Sequence, residues 1–100
     1  IKLPASKAND KGQALVVKGE KSSVTIEDVL VGDVWVGSGQ SNMEWPVRSS
    51  SDPTKTIDGA NHPTIRLYQV PKLQSKAPNK DIKSQWQECT PKTISGFSAA

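Results

Sequence analysis

Hydrophobic and polar positions alternate most regularly in the first third of the chain. Over residues 23–30, Val24 and Ile26 alternate with Thr25 and Glu27, the period of a half-buried β-strand. Residues 14–18, Ala-Leu-Val-Val-Lys, form a second strand-sized apolar run. Between the two, Lys18-Gly19-Glu20-Lys21 has the composition of a turn, with Gly19 free to take a positive φ. The pattern predicts an antiparallel hairpin. Residues 2–12, polar and carrying Pro4 and Gly12, read as a loop or edge strand ahead of it.

The pattern changes near Val31. Gly32-Asp33 interrupts it, and Val34-Trp35-Val36 then runs apolar without alternation, as in a strand buried on both faces. A Gly-rich bend follows over residues 37–42, Gly-Ser-Gly-Gln-Ser-Asn, and Met43-Glu44-Trp45 predicts the first turn of a helix. Pro46 fits only such a first turn. Residues 48–60 carry a Ser triplet, Asp52-Pro53 and Gly59, and read as a surface loop with a short helical turn. Residues 64–70, Thr-Ile-Arg-Leu-Tyr-Gln-Val, are the clearest strand. Residues 73–83 read as a polar loop, and residues 85–89 as a short strand around Trp86. Pro91 and Gly96 bracket a turn, after which Ser98-Ala99-Ala100 predicts the start of a helix. Strand, Gly turn, loop, strand, loop and helix start together suggest the opening of an α/β unit behind an antiparallel β segment.

Length and composition narrow the function classes. One hundred residues hold at most one small domain with a thin core. No apolar run approaches the roughly 18 residues of a membrane span. One Cys and one His exclude an internal disulfide and a four-ligand structural zinc site built from this chain alone. The formal net charge of +3 is spread over scattered Lys, with only two Arg and no basic run interleaved with aromatics, which argues against nucleic-acid binding. The chain begins at Ile1 with no signal-peptide pattern and ends where a helix is predicted to start, so it reads as a truncated fragment.

Reactive chemistry concentrates at Gly39-Gln40-Ser41-Asn42. A serine hydroxyl becomes a useful nucleophile only when a base takes its proton and donors stabilise the developing charge. A strand–bend–helix arrangement exposes the serine and aims unpaired backbone N–H groups at an oxyanion. Gly-x-Ser alone is common in ordinary turns. The residues are not the G-x-S-x-G elbow, since position 43 is Met, and no Gly-Lys-Ser/Thr follows to make a P-loop.

The longer block over residues 28–47, DVLVGDVWVGSGQSNMEWPV, resembles the first sequence block of the sialate O-acetylesterases, members of the SGNH (GDSL-like) hydrolases. The flanks are similar too. Leu3-Pro4-Ala5 with the hairpin resembles the end of the β-domain that precedes the hydrolase domain. Residues 61–70, Trp86, Cys89, Thr90-Pro91 and Phe97-Ser98-Ala99 resemble the next segment. One departure is Gly37, where a Cys often precedes Ser-Gly-Gln in that family.

The resemblance implies an SGNH-type, flavodoxin-like three-layer α/β fold, with residues 1–31 closing a β-sandwich-like accessory domain and residues 32–100 opening an incomplete esterase domain. It implies that Ser41 is the nucleophile and a backbone oxyanion donor, supported by Gly39, Gln40 and Asn42. The other donors, a Gly and an Asn, and the base, a His three residues after an Asp, match nothing in these 100 residues. The implied partner is an acetylated sugar. No metal or cofactor, no membrane span and no nucleic acid are implied, and the location is expected to be secreted or otherwise extracytoplasmic. The oligomeric state is not indicated.

The remaining residues have plainer readings. Asn42 is expected to hold the loop by local hydrogen bonds, and Met43 and Trp45 to pack the first helical turn. Glu44 suits a helix N-terminus through the dipole. His62 precedes Pro63, is biased to extended backbone, and matches no base of the family. Asp33 lies at the wrong end of its strand to orient a histidine. Cys89 reads as a small buried hydrophobe, and Arg48 and Arg66 as solvated surface cations. A different class also remains open: a non-catalytic carbohydrate-binding or scaffold β-module, in which Ser41 takes part in no chemistry.

Overall fold

The computed structural model describes residues 3–100; Ile1 and Lys2, which fall in the stretch read as loop or edge strand, lie outside the described residues. Tertiary contacts divide the chain into two units, one reaching Val36 and the other beginning at Gly37.

The first unit is the hairpin. Strand β1 (Asn9–Lys18) pairs antiparallel with β2 (Ser23–Val31), with Lys18 opposite Ser23. β1 thus starts at Asn9, inside the stretch read as loop. The connection is closed by the Gly19 N–H donating to the Ser22 carbonyl at 2.8 Å. Gly19 does not take a positive φ; that conformation occurs at Asp28, with φ of 57°. A short side chain that bonds locally makes Asp one of the few residues to tolerate it. The strand register slips between Gln13↔Val29 and Leu15↔Ile26, which places this kink at a β-bulge. Gly12 faces it: a Cβ there would overlap the Asp28 Oδ1 and stand 3.2 Å from the Asp28 Cα, so any side chain at this position would force Asp28 to move.

The apolar face of the hairpin is not buried. Val24 and Ile26 are 57% and 48% exposed, against the half-buried expectation. Val34, Trp35 and Val36 are 71%, 91% and 88% exposed and form no strand. The reason is physical. A strand exists only through a hydrogen-bonded neighbour, and no described strand pairs with these three residues.

The second unit opens with two single-turn 3₁₀ segments, Ser41–Glu44 and Val47–Ser49. Helix α1 (Pro53–Asp58) follows, with Pro53 in the first turn, where its missing N–H costs nothing. Strand β3 (His62–Leu67) pairs antiparallel with β4 (Gln87–Cys89), placing His62 opposite Cys89 and Arg66 opposite Glu88. β3 therefore starts two residues earlier than its pattern predicts and stops before Tyr68. Trp86 stands just outside β4 and packs on Tyr68, ring centroids 5.0 Å apart.

Helix α2 (Pro91–Ile94) replaces the turn expected there, and the helix expected from Ser98 does not form. Thr90 caps α2 reciprocally: its Oγ1 accepts from the Thr93 N–H at 3.3 Å, and Thr93 Oγ1 accepts from the Thr90 N–H at 2.9 Å. Thr90→Ala is expected to lower the unfolding free energy by about 1 kcal/mol, read from a urea titration of the natural protein. Residues 97–100 instead run beside Trp45 and Pro46, with Ser98 bridged to Pro46. Tertiary pairing has overridden the helix preference of Ala99 and Ala100.

Among the described residues only Val47, Ala60 and Cys89 are buried, at about 5% exposure each. Large apolar side chains stand exposed in each unit, among them Val24 and Trp35 in the first and Ile65 and Trp86 in the second. The α/β opening expected from residue 32 onward is visible only as short helical segments and a second antiparallel strand pair. No parallel pair forms among the described residues, because a parallel ladder needs a crossover to a second strand of the same sheet.

Candidate active site

Ser41 is the first residue of its 3₁₀ turn and is exposed. Gln40 caps it with extended backbone, and its carbonyl accepts the Met43 N–H at 3.0 Å. The N–H groups of Ser41 and Asn42 stand at the opening of the turn, where a helical ladder supplies no acceptor. The sequence reading of a Gly-rich bend leading into a first helical turn thus describes the local structure. The helix goes no further, since Trp45 has left helical geometry with ψ of 112°.

Met43 explains the glycines. A Cβ on Gly39 would lie 2.8 Å from Met43 Cγ, and one on Gly37 would lie 3.0 Å from Met43 Cε. The side chain is folded back over the bend and packs against it. No described glycine has a positive φ, so the requirement at Gly39 is one of space.

Asn42 acts through its backbone. Its carbonyl accepts the Trp45 N–H at 3.1 Å, while its side chain makes no hydrogen bond among the described residues, unlike the local bonding expected of it. Glu44 ends the turn, and its carboxylate pairs with Lys72 Nζ at 2.5 Å. No local pattern points to Lys72, which lies 28 residues away. Trp45 is 57% exposed and donates its indole N–H to the Ser49 carbonyl at 2.8 Å.

The other singled-out residues lie outside the Ser41–Glu44 turn. His62 is the first residue of β3 and no hydrogen bond joins it to Ser41. Asp33 is exposed and lies in the other unit. Cys89 is buried and its thiol is free, as a small hydrophobe would be. Arg48 is exposed. Arg66 is not the solvated cation expected: its side chain is 18% exposed and its guanidinium donates to the Glu88 carboxylate across the strand pair at 2.9 Å. A hollow of about 150 Å³ is lined by Leu67, Gln69, Ser84, Gln87, Thr93 and Phe97, and no residue of the Ser41 turn borders it. Among the described residues no three His, Cys, Asp or Glu side chains gather as a metal site. No described helix is long and apolar enough to cross a membrane.

No family model matches the chain. Known proteins do. The chain is 36% identical over 61 residues to the sialate O-acetylesterase of Mus musculus, covering 60% of this chain and 11% of that protein. It is 30% identical over 76 residues to the sialate O-acetylesterase of Homo sapiens, covering 72% of this chain and 14% of that protein. Among solved structures, a carbohydrate acetylesterase from Xanthomonas citri matches with a TM-score of 0.88 at 38% identity, over 99% of this chain and 23% of that one. The chain thus spans about a tenth of the length of the curated relatives it matches. At this level of agreement in both sequence and backbone, the segment belongs to the sialate O-acetylesterase family.

Proposed function

We propose that the chain is the nucleophile-bearing segment of a serine esterase that removes acetyl groups from O-acetylated sugars. The observation that carries this reading is the exposed Ser41 at the head of a Gly-flanked 3₁₀ turn. The likeness of the whole chain to a carbohydrate acetylesterase supports it. Residues 1–31 then close a β-rich accessory domain, and residues 32–100 open an SGNH-type α/β domain whose remaining strands cover Val34, Trp35 and Val36.

In this reading Ser41 Oγ attacks the acetyl carbonyl carbon. A histidine from outside residues 1–100 takes the hydroxyl proton. The Ser41 N–H is one donor to the oxyanion, a role that removal of a single donor shows to be worth about 10²–10³ in rate. Collapse of the tetrahedral intermediate breaks the bond to the sugar oxygen, which leaves with the proton from the imidazolium. Water, deprotonated by the same imidazole, then attacks the acetyl-serine ester and releases acetate. Gly39 and Met43 shape the bend that presents the hydroxyl.

Acyl-chain selectivity tests the substrate class. The natural protein is expected to release acetate from O-acetylated monosaccharides and 9-O-acetyl sialic acid, with kcat/KM falling steeply for butanoyl and octanoyl esters. Equal or better hydrolysis of the longer esters would make it a lipase-like member of the same fold. Binding of acetylated glycans with no acetate released would make it a carbohydrate-binding module.

A further inference from the structure

The Ser41 turn has little of its own to hold it. It buries no residue and has no side-chain cap. Its one ion pair, Glu44–Lys72, is between groups 52% and 78% exposed, a kind of contact worth less than roughly 1 kcal/mol. Yet a nucleophile must be held to within about half an ångström of productive geometry.

The rigidity comes from the residues just after the turn. Over residues 45–48 the backbone is tied to residues 95–99, half a chain away. The Ala99 N–H donates to the Trp45 carbonyl at 2.9 Å, the Val47 N–H to the Phe97 carbonyl at 2.9 Å, and the Arg48 N–H to the Ser95 carbonyl at 3.1 Å. Pro46 and Ser98 bridge between them. Val47, in the middle, is one of the few buried side chains. The link reaches Ser41 in two steps: Ala99 bonds the Trp45 carbonyl, and the Trp45 N–H bonds the carbonyl of Asn42, the residue next to Ser41.

We infer that residues 95–99 are a positioning strap for the nucleophile, with the Ala99 N–H as its working contact. The inference rests on Ser41 being the nucleophile. It explains why Ser98-Ala99-Ala100, with good helix-forming residues, runs extended beside Trp45 and Pro46. Its residues act through the backbone of the turn.

The test uses the natural protein. Ala99→Pro removes the donor, and Ala99→Ser keeps it. Ala99→Pro is expected to slow fluorophosphonate labelling and kcat by on the order of 10²-fold, the effect of an ångström-scale displacement, while KM stays close to its original value. Ala99→Ser should behave as the parent. Amide exchange on the unmutated protein is the second measurement, and it does not depend on any variant folding. The Val47, Arg48 and Ala99 amides should be protected together. Unchanged labelling in Ala99→Pro, or rapid exchange of these three amides, overturns the strap. Labelling that persists in Ser41→Ala instead overturns the nucleophile assignment, and leaves the exchange result to report on the strap alone.

Discussion

Ser41→Ala is expected to lower kcat/KM for acetyl esters by on the order of 10⁴–10⁶, with the protein still folded. The magnitude follows from what the substitution removes. Without Oγ there is no acyl-enzyme, and only the oxyanion donors and substrate binding are left to assist direct attack by water. The side chain is exposed and makes no hydrogen bond among the described residues, so within them its removal opens no cavity and orphans no partner. Thermal unfolding of the variant should match the parent closely. A loss of activity accompanied by a large fall in the unfolding temperature would point to a structural serine instead.

The second large effect is expected at Gly39. In Gly39→Ala the new methyl would stand 2.8 Å from Met43 Cγ, well inside van der Waals contact. Met43 Cγ lies one bond beyond the Cβ, and the Met43 N–H is tied to the Gln40 carbonyl, so the contact cannot be relieved by swinging a distant tip. Either Met43 leaves the bend or the turn carrying Ser41 shifts. Overpacking of this kind costs about 1–3 kcal/mol, and a shift of an ångström at the nucleophile lowers the rate by roughly 10²-fold. The double variant Gly39→Ala/Met43→Ala removes the obstructing atoms and should recover much of the loss. The two changes are then strongly non-additive, as expected of groups in contact. Additive effects in kcat/KM would show that Met43 does not shape the bend.

The legible parts of this chain are those decided by near neighbours. Val24 and Ile26 alternating with Thr25 and Glu27, with Gly19 close behind Lys18, sufficed to place the hairpin. The Gly-rich bend and Met43-Glu44 located the Ser41 turn for the same reason. The capped start of α2 was written in Thr90-Pro91, a side-chain acceptor followed by Pro at the first helical position. Reading that stretch as a turn missed a local signal that was present.

The rest depends on distant partners. Val34, Trp35 and Val36 have the composition of a buried strand, but composition cannot supply the neighbouring strands that would make them one. Ser98, Ala99 and Ala100 prefer helix locally, and three backbone hydrogen bonds between residues 45–48 and 95–99 decide otherwise. Arg66 faces Glu88 only because β3 and β4 pair in the observed register. Lys72 reaches Glu44 across a loop with no periodic pattern. At the candidate site, the residue types of the bend were readable, whereas what holds the bend in place was not.

The most direct measurement is to treat the natural protein with a fluorophosphonate, digest it, and locate the added mass by peptide mass spectrometry. The account predicts a single stoichiometric adduct on Ser41, formed in step with loss of acetyl-ester hydrolysis. An adduct on another serine, or full inhibition with Ser41 unmodified, would contradict it.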